Sequence, residues 1–236
     1  YLAAVLIGEA AAGVAYVDVT TGEFNVTQMG VAGVEQELAR LGPSEVIAPL
    51  SSPLELSDNR VNYTITTVPD AWFSQPVARR HLYHHFKVTS LEAFGCESLP
   101  LAIAAASAVL DYLGETYKNV IPLLTGLRTY TTDAFMGLDA QTRRNLELYE
   151  VGRWGARENS LLSVLDKSST PMGARLLRRW LSQPLLDFEE LSRRQDAVAW
   201  MHQSGVRRQQ IRETLKGVSD IERLVHRIGG GAAIPR

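Results

Sequence analysis

Apolar residues cluster or alternate over residues 2–7 (LAAVLI) and 14–19, a Thr20-Thr21-Gly22 turn follows, and residues 23–28 resume with apolar Phe24 and Val26. Apolar segments bounded by turn residues predict strands joined into a hairpin-based sheet. From Val31 the spacing changes: Val31, Val34, Leu38 and Leu41 fall at helical intervals, closed by Gly42-Pro43. Residues 45–48 and 63–68 read as two more strands flanking a Ser/Pro-rich loop. Residues 74–86 are expected to be helical, with Val77, Leu82 and Phe86 apolar and Arg79, Arg80, His81, His84 and His85 between them. Ser98 and Pro100 are placed as N-cap and first-turn proline of a strongly apolar helix over 101–112. The order β-β-β-α-β-β-α-α predicts a mixed α/β domain.

Beyond an expected linker at 119–128 and an extended stretch at 129–136, the pattern turns helical almost without a break. Asp139 is the expected cap of a helix carrying TRRNLEL, and Thr170-Pro171 make an N-cap and N1 pair for MGARLLRRWL. On a helical wheel Met172, Leu176, Trp180, Leu177 and Leu181 share one side, expected to pack, while Arg175, Arg178 and Arg179 share the other. Asp187 with Glu190 resembles a capping box for a helix through Met201. Ile221, Leu224, Val225 and Ile228 mark a last amphipathic helix. This second half reads as an all-α bundle, with Trp154, Trp180 and Trp200 packing inside it.

Composition narrows the class. In 236 residues there is one cysteine, Cys96, which excludes an internal disulfide or a Cys-based zinc site and suits a reducing compartment. The most apolar stretch, 99–113, is broken by Pro100, Ser107, Asp111 and Tyr112 and falls short of the ~20 apolar residues that cross a bilayer, so no membrane association is expected. The chain starts without Met or a basic flank and stops at GGGAAIPR without a helix cap, so it is expected to be a piece of a longer protein. The net charge of −2 hides an asymmetry: residues 1–125 hold 6 Lys+Arg and 13 Asp+Glu, a net −7, and residues 126–236 hold 18 and 13, a net +5. Two units with different surfaces follow.

Candidate chemistry is sparse. Asp18, at a strand end entering a hairpin, stands where a nuclease of RNase H type places a metal-binding carboxylate; no second strand-borne acid pairs with it, which favours a turn residue. His81, His84 and His85 share a helix face but lack a third supported ligand, which favours a contact surface over a metal site. The pairs Arg143-Arg144, Arg178-Arg179, Arg193-Arg194 and Arg207-Arg208 suit phosphate, but Glu147, Glu150, Glu189, Glu190 and Asp196 are interleaved, which favours ion pairs within the bundle. No Gly-Lys dipeptide and no G-x-S-x-G occur, so these residues carry neither a P-loop nor a nucleophile elbow. No catalytic, cofactor or metal residue is assigned.

Six strings, in order, resemble the MutS family of DNA mismatch-repair proteins: GVAYVDVTTGEF, ELARLGPSEVI, LDAQTRRNLEL, SLLSVLDKSSTPMGARLLRRWLSQPL, RRQDAVAW and VSDIERLVHRI. The resemblance implies that residues 1–123 are a connector domain, an RNase H-like α/β fold without nuclease function, and that 124–236 begin the helical core or lever. It implies a cytoplasmic, homodimeric parent that binds mismatched duplex DNA and uses ATP and Mg²⁺ through domains outside these residues. Phe188-Glu189-Glu190 lies at a core-helix start, so the family's mismatch-reading Phe-x-Glu is not among these residues. The connector is the family's surface for the MutL partner, which puts Arg79, Arg80, His81 and His84 forward as the contact set. Two alternatives stand beside this reading: a divergent RNase H-like nuclease using Asp18, and an Arg-rich DNA-binding module around Arg175 and Arg178.

Overall fold

Three strands form, β1 (Leu2–Ile7) as expected, β2 (Ala11–Asp18) starting three residues earlier than expected and β3 (Glu23–Gly30) running two residues longer, paired antiparallel in sequence. The computed structural model describes residues 1–52, 54, 63–151 and 156–229. A 3-10 turn, Val31–Gly33, precedes α1 (Val34–Leu41), so the helix starts three positions later than its spacing suggests. Gly42, at φ +54°, ends α1 in the left-handed region and donates its N–H to the Leu38 carbonyl. Strands β4 (Glu45–Pro49) and β5 (Thr64–Val68) then add parallel to β1 and to each other. With β6 (Arg128–Thr129) parallel to β3, the order is β5-β4-β1-β2-β3-β6. Its first five strands have the RNase H-like order.

Period-2 burial assigns each strand's side chains to two layers. Ala3 and Val5 of β1, Ala12, Val14 and Tyr16 of β2 and Val46 of β4 pack with Val34, Leu38 and Leu41 of α1. Ala4, Ala15, Val17, Phe24, Val26 and Ile47 face α2 (Gln75–Phe86) and α3 (Pro100–Thr116). In α3, Ala102, Ala104, Ala105, Ala106 and Ala108 are fully buried, so the helix backbone lies close to the sheet. The approach is tightest at Gly13, where a Cβ would stand 2.1 Å from the Leu101 backbone. Ser98 does not cap α3; Gln28 of β3 accepts the Leu101 N–H at 3.0 Å instead. The expected linker is partly built in: Lys118–Leu123 forms a 3-10 turn, and Leu124 and Leu127 are buried.

The chain divides into two compact units, Tyr1–Thr132 with Val225–Arg236, and Asp133–Leu224. The second unit holds α4 (Ala140–Asn145), α5 (Leu161–Leu165), α6 (Pro171–Ser182), α7 (Phe188–His202) and α8 (Gly205–Lys216), and the start of α9 (Ile221–Gly229). Side-chain caps start five of them: Asp139 on Thr142 N (2.6 Å), Ser160 on Ser163 N (3.3 Å), Thr170 on Gly173 N (3.1 Å), Asp187 on Glu189 N (2.9 Å) and Ser204 on Arg207 N (3.3 Å). Half of the expected capping box forms, since Glu190 turns its carboxylate to Arg193 and Arg194. Helix α4 ends at Asn145, short of the Leu-Glu-Leu that follows; Glu147, at φ +48°, breaks the helical path.

Burial in this unit differs from expectation. Leu138 and Leu148 are its only buried hydrophobic residues among those described. Leu176 and Trp180 of α6, expected to pack, are 44% and 39% exposed, and Trp200 is 51% exposed. The tryptophans are covered by guanidinium planes: Arg194 lies 3.9 Å over Trp180 and Arg207 3.9 Å over Trp200. Trp154 lies outside the described residues.

Candidate functional site

Helix α2 carries the four residues expected to meet a partner. Pro76 sits in its first turn, and Lys87, at φ +56°, closes it with its N–H on the Tyr83 carbonyl. Ala78 and Leu82 are buried, so α2 presents its remaining faces sideways and outward. The four residues separate accordingly, two turned inward and two outward.

Arg79 is ion-paired with Glu97 and donates from Nη2 to the Glu97 carbonyl at 2.9 Å. The same carboxylate accepts the Leu91 N–H at 2.6 Å, the Tyr83 hydroxyl at 3.2 Å and the Ser90 hydroxyl at 3.3 Å. The Leu91 amide, with the Arg79 charge and the two hydroxyls, holds the Glu97 carboxyl below its ordinary range. Arg79 therefore fastens the segment after α2 to the helix. His81 is also committed: its Nδ1 lies 3.0 Å from the Ser107 hydroxyl and 3.4 Å from the Asp111 carboxylate, both on α3. Ser107 is buried and shares Nδ1 with the acid, so this trio cannot relay a proton as a nucleophile, base and orienting acid would. His85 points its Nε2 at the Leu124 carbonyl (2.7 Å), and burial lowers its pKa.

Arg80 and His84 are exposed, and Val77, 49% exposed, lies on the same face one turn before them. That outward stripe, continued by Lys87, is cationic with an apolar start. Val77 is the residue that reading for charge alone missed. Its signal was present in the spacing, since positions 77, 80 and 84 share one helical face.

Asp18 accepts the Thr20 N–H at 2.8 Å and the Thr20 hydroxyl at 2.7 Å, closing the β2–β3 turn. These hydrogen bonds lower its pKa against the opposing effect of burial. Among the described residues no three His, Cys, Asp or Glu side chains stand together as metal ligands.

Several arginines of the second unit are engaged within it. Arg175 meets Asp220 at 2.8 and 2.7 Å and Glu222 at 2.9 and 2.6 Å. Arg178 lies 4.5 Å over the Tyr149 ring, and Arg193 and Arg194 pair with Glu190. Arg143 is buried and donates to the Leu138 and Ser182 carbonyls, both at 3.0 Å. Arg207 and Arg208 donate to the Trp200 and Met201 carbonyls, at 3.2 and 2.8 Å, and so cap the end of α7. Arg175 and Arg178, the proposed centre of a DNA-binding face, are both turned to protein partners.

Residues 1–125 match the family model for MutS domain II, and residues 141–236 match that for MutS domain III. Over its whole length the chain is similar to proteins named DNA mismatch repair protein MutS. The one from Synechococcus elongatus is 43% identical over 251 residues and 28% of it is covered. That from Nostoc punctiforme is likewise 43% identical, with 28% covered. That from Dehalococcoides mccartyi is 37% identical over 236 residues, with 27% covered. The chain thus spans a little over a quarter of the length of these relatives.

Proposed function

The chain belongs to the MutS family, and from that premise we propose that it is a non-catalytic central portion of a mismatch-repair protein, supplying partner docking and allosteric transmission. The parent protein binds mismatched duplex DNA, hydrolyses ATP with Mg²⁺ in another domain, acts as a homodimer in the bacterial cytoplasm, and signals to MutL. The observation that carries the reading is the succession of domain II and domain III in one chain, each matched over its own stretch. No helix among the described residues is long and apolar enough to cross a membrane, which is compatible with that setting.

Within this reading the docking face is the outward stripe of α2, Val77, Arg80 and His84, because Arg79 and His81 are spent on Glu97 and Asp111. Transmission falls to the capped helices of the second unit, rigid elements whose ends are held by side chains. The test is association of the chain with MutL by surface plasmon resonance. Arg80→Glu with His84→Glu is expected to weaken binding by roughly tenfold, as for loss of charge complementarity at an interface. Equal binding by the unaltered chain and the double variant would remove α2 as the docking face.

A further inference from the structure

The first unit contains a cleft of about 300 Å³ between α2, α3 and the two flanking 3-10 turns, Asp70–Phe73 and Lys118–Leu123. Its apolar wall is Trp72, Leu110 and Ile121. Its polar lining is Asp111, Glu115 and His81. The space beside Gly114 is open: a Cβ there would meet nothing within 4 Å. Among the described residues no side chain fills the cleft.

The two carboxylates are unequally provided for. Asp111 faces His81 at 3.4 Å and the Ser107 hydroxyl at 3.5 Å. Glu115, one helical turn further on, is exposed, and no described cation pairs with it. At i, i+4 spacing the two side chains project in the same direction, about 6 Å apart at their Cβ atoms. A planar guanidinium presents donors on two sides and spans such a pair, whereas an ammonium is a point charge that satisfies one carboxylate at a time. The indole of Trp72, half-buried and lining the same cleft, is the preferred aromatic surface for a cation to stack on. The surrounding residues 1–125, at net −7, attract cations and repel anions.

We propose that this cleft receives an arginine side chain presented by a protein partner, stacked on Trp72 and bridging Asp111 and Glu115. The inference does not depend on the cationic stripe of α2, which has the opposite sign and would take an acidic partner surface.

The test is an NMR titration of the ¹⁵N-labelled chain with the peptide acetyl-Gly-Arg-Gly-amide, the Trp72 indole signal being assigned with Trp72→Phe. The Trp72 indole and the amides of residues 110–115 should shift saturably. The same peptide with norleucine should leave them unmoved, and the lysine peptide should bind more weakly than the arginine one. Glu115→Gln, an exposed change, should weaken the arginine peptide by roughly tenfold, as for one charge-assisted contact. Glu92→Gln, on the same unit but outside the cleft, should bind like the unaltered chain. Unmoved Trp72 and α3 signals with the arginine peptide would overturn the proposal. So would equal shifts with norleucine, or undiminished binding by Glu115→Gln. Trp72→Leu supplies a second check that removes the stack and leaves both carboxylates in place.

Discussion

At the scale of single residues, the polar side chains of both units act mainly as fasteners. Glu37 is nearly fully buried, where Arg40 donates to it at 2.8 and 2.6 Å and the Tyr130 hydroxyl at 2.5 Å. Burial and the Glu37 charge push the Tyr130 hydroxyl well above its ordinary range, so it stays a donor. Tyr130→Phe leaves one carboxylate oxygen with a lost partner and is expected to cost about 1–2 kcal/mol in urea unfolding. In the second unit Arg175 pulls the Asp220 carboxyl down from 3.8 to about 2. A depressed acid stabilises the folded state above its unfolded pKa and loses that contribution as pH falls through the folded one. The clasp should therefore hold at neutral pH and weaken between about 3.8 and 2. Titration of the Asp220 carboxyl by ¹³C NMR should show a midpoint near 2 that returns toward 3.8 in Arg175→Gln. An unchanged midpoint would show that the guanidinium is not its cause.

At the scale of elements, the main determinant of the first unit is how closely α3 lies on the sheet. Gly13 and five buried alanines of α3 allow that approach, and Gln28 caps the helix from β3. Gly13→Ala places a methyl against the Leu101 backbone and should cost about 3 kcal/mol, at the upper end for overpacking, read as a lowered thermal midpoint. A midpoint matching the unaltered chain would mean that α3 sits further from β2 than described. Strand β1 was readable from its sequence because its unbroken apolar run reports a strand buried on both faces of the sheet. The cap of α3 was not readable, because Gln28 and Leu101 are 73 residues apart and nothing local marks the pair. Helix α8 drew no separate prediction since its apolar residues form no stripe at helical spacing. The split of the α2 residues was also hidden: Arg79 and His81 point inward only because Glu97, Ser107 and Asp111 arrive from elsewhere in the chain. The exposure of Trp180 and Trp200 had no sequence signal, as an aromatic at helical spacing reads as core.

At the scale of the whole molecule, the charge break at residue 125 falls between the acidic stretch that matches domain II and the arginine-rich stretch that matches domain III. In the second, Arg143, Arg175, Arg178, Arg194, Arg207 and Arg208 are all engaged with protein groups and so help to hold the helical scaffold. On the proposed function, this chain passes a signal on and does not itself read the mismatch. A chimera of the Synechococcus elongatus MutS protein carrying these residues in place of its matching segment tests it most directly, by measuring mismatched-duplex binding and MutL recruitment in the same preparation. Arg80→Glu with His84→Glu is expected to leave duplex binding intact and to reduce MutL recruitment by roughly tenfold. Loss of mismatch binding in that variant, or recruitment equal to that of the unaltered chimera, would contradict it.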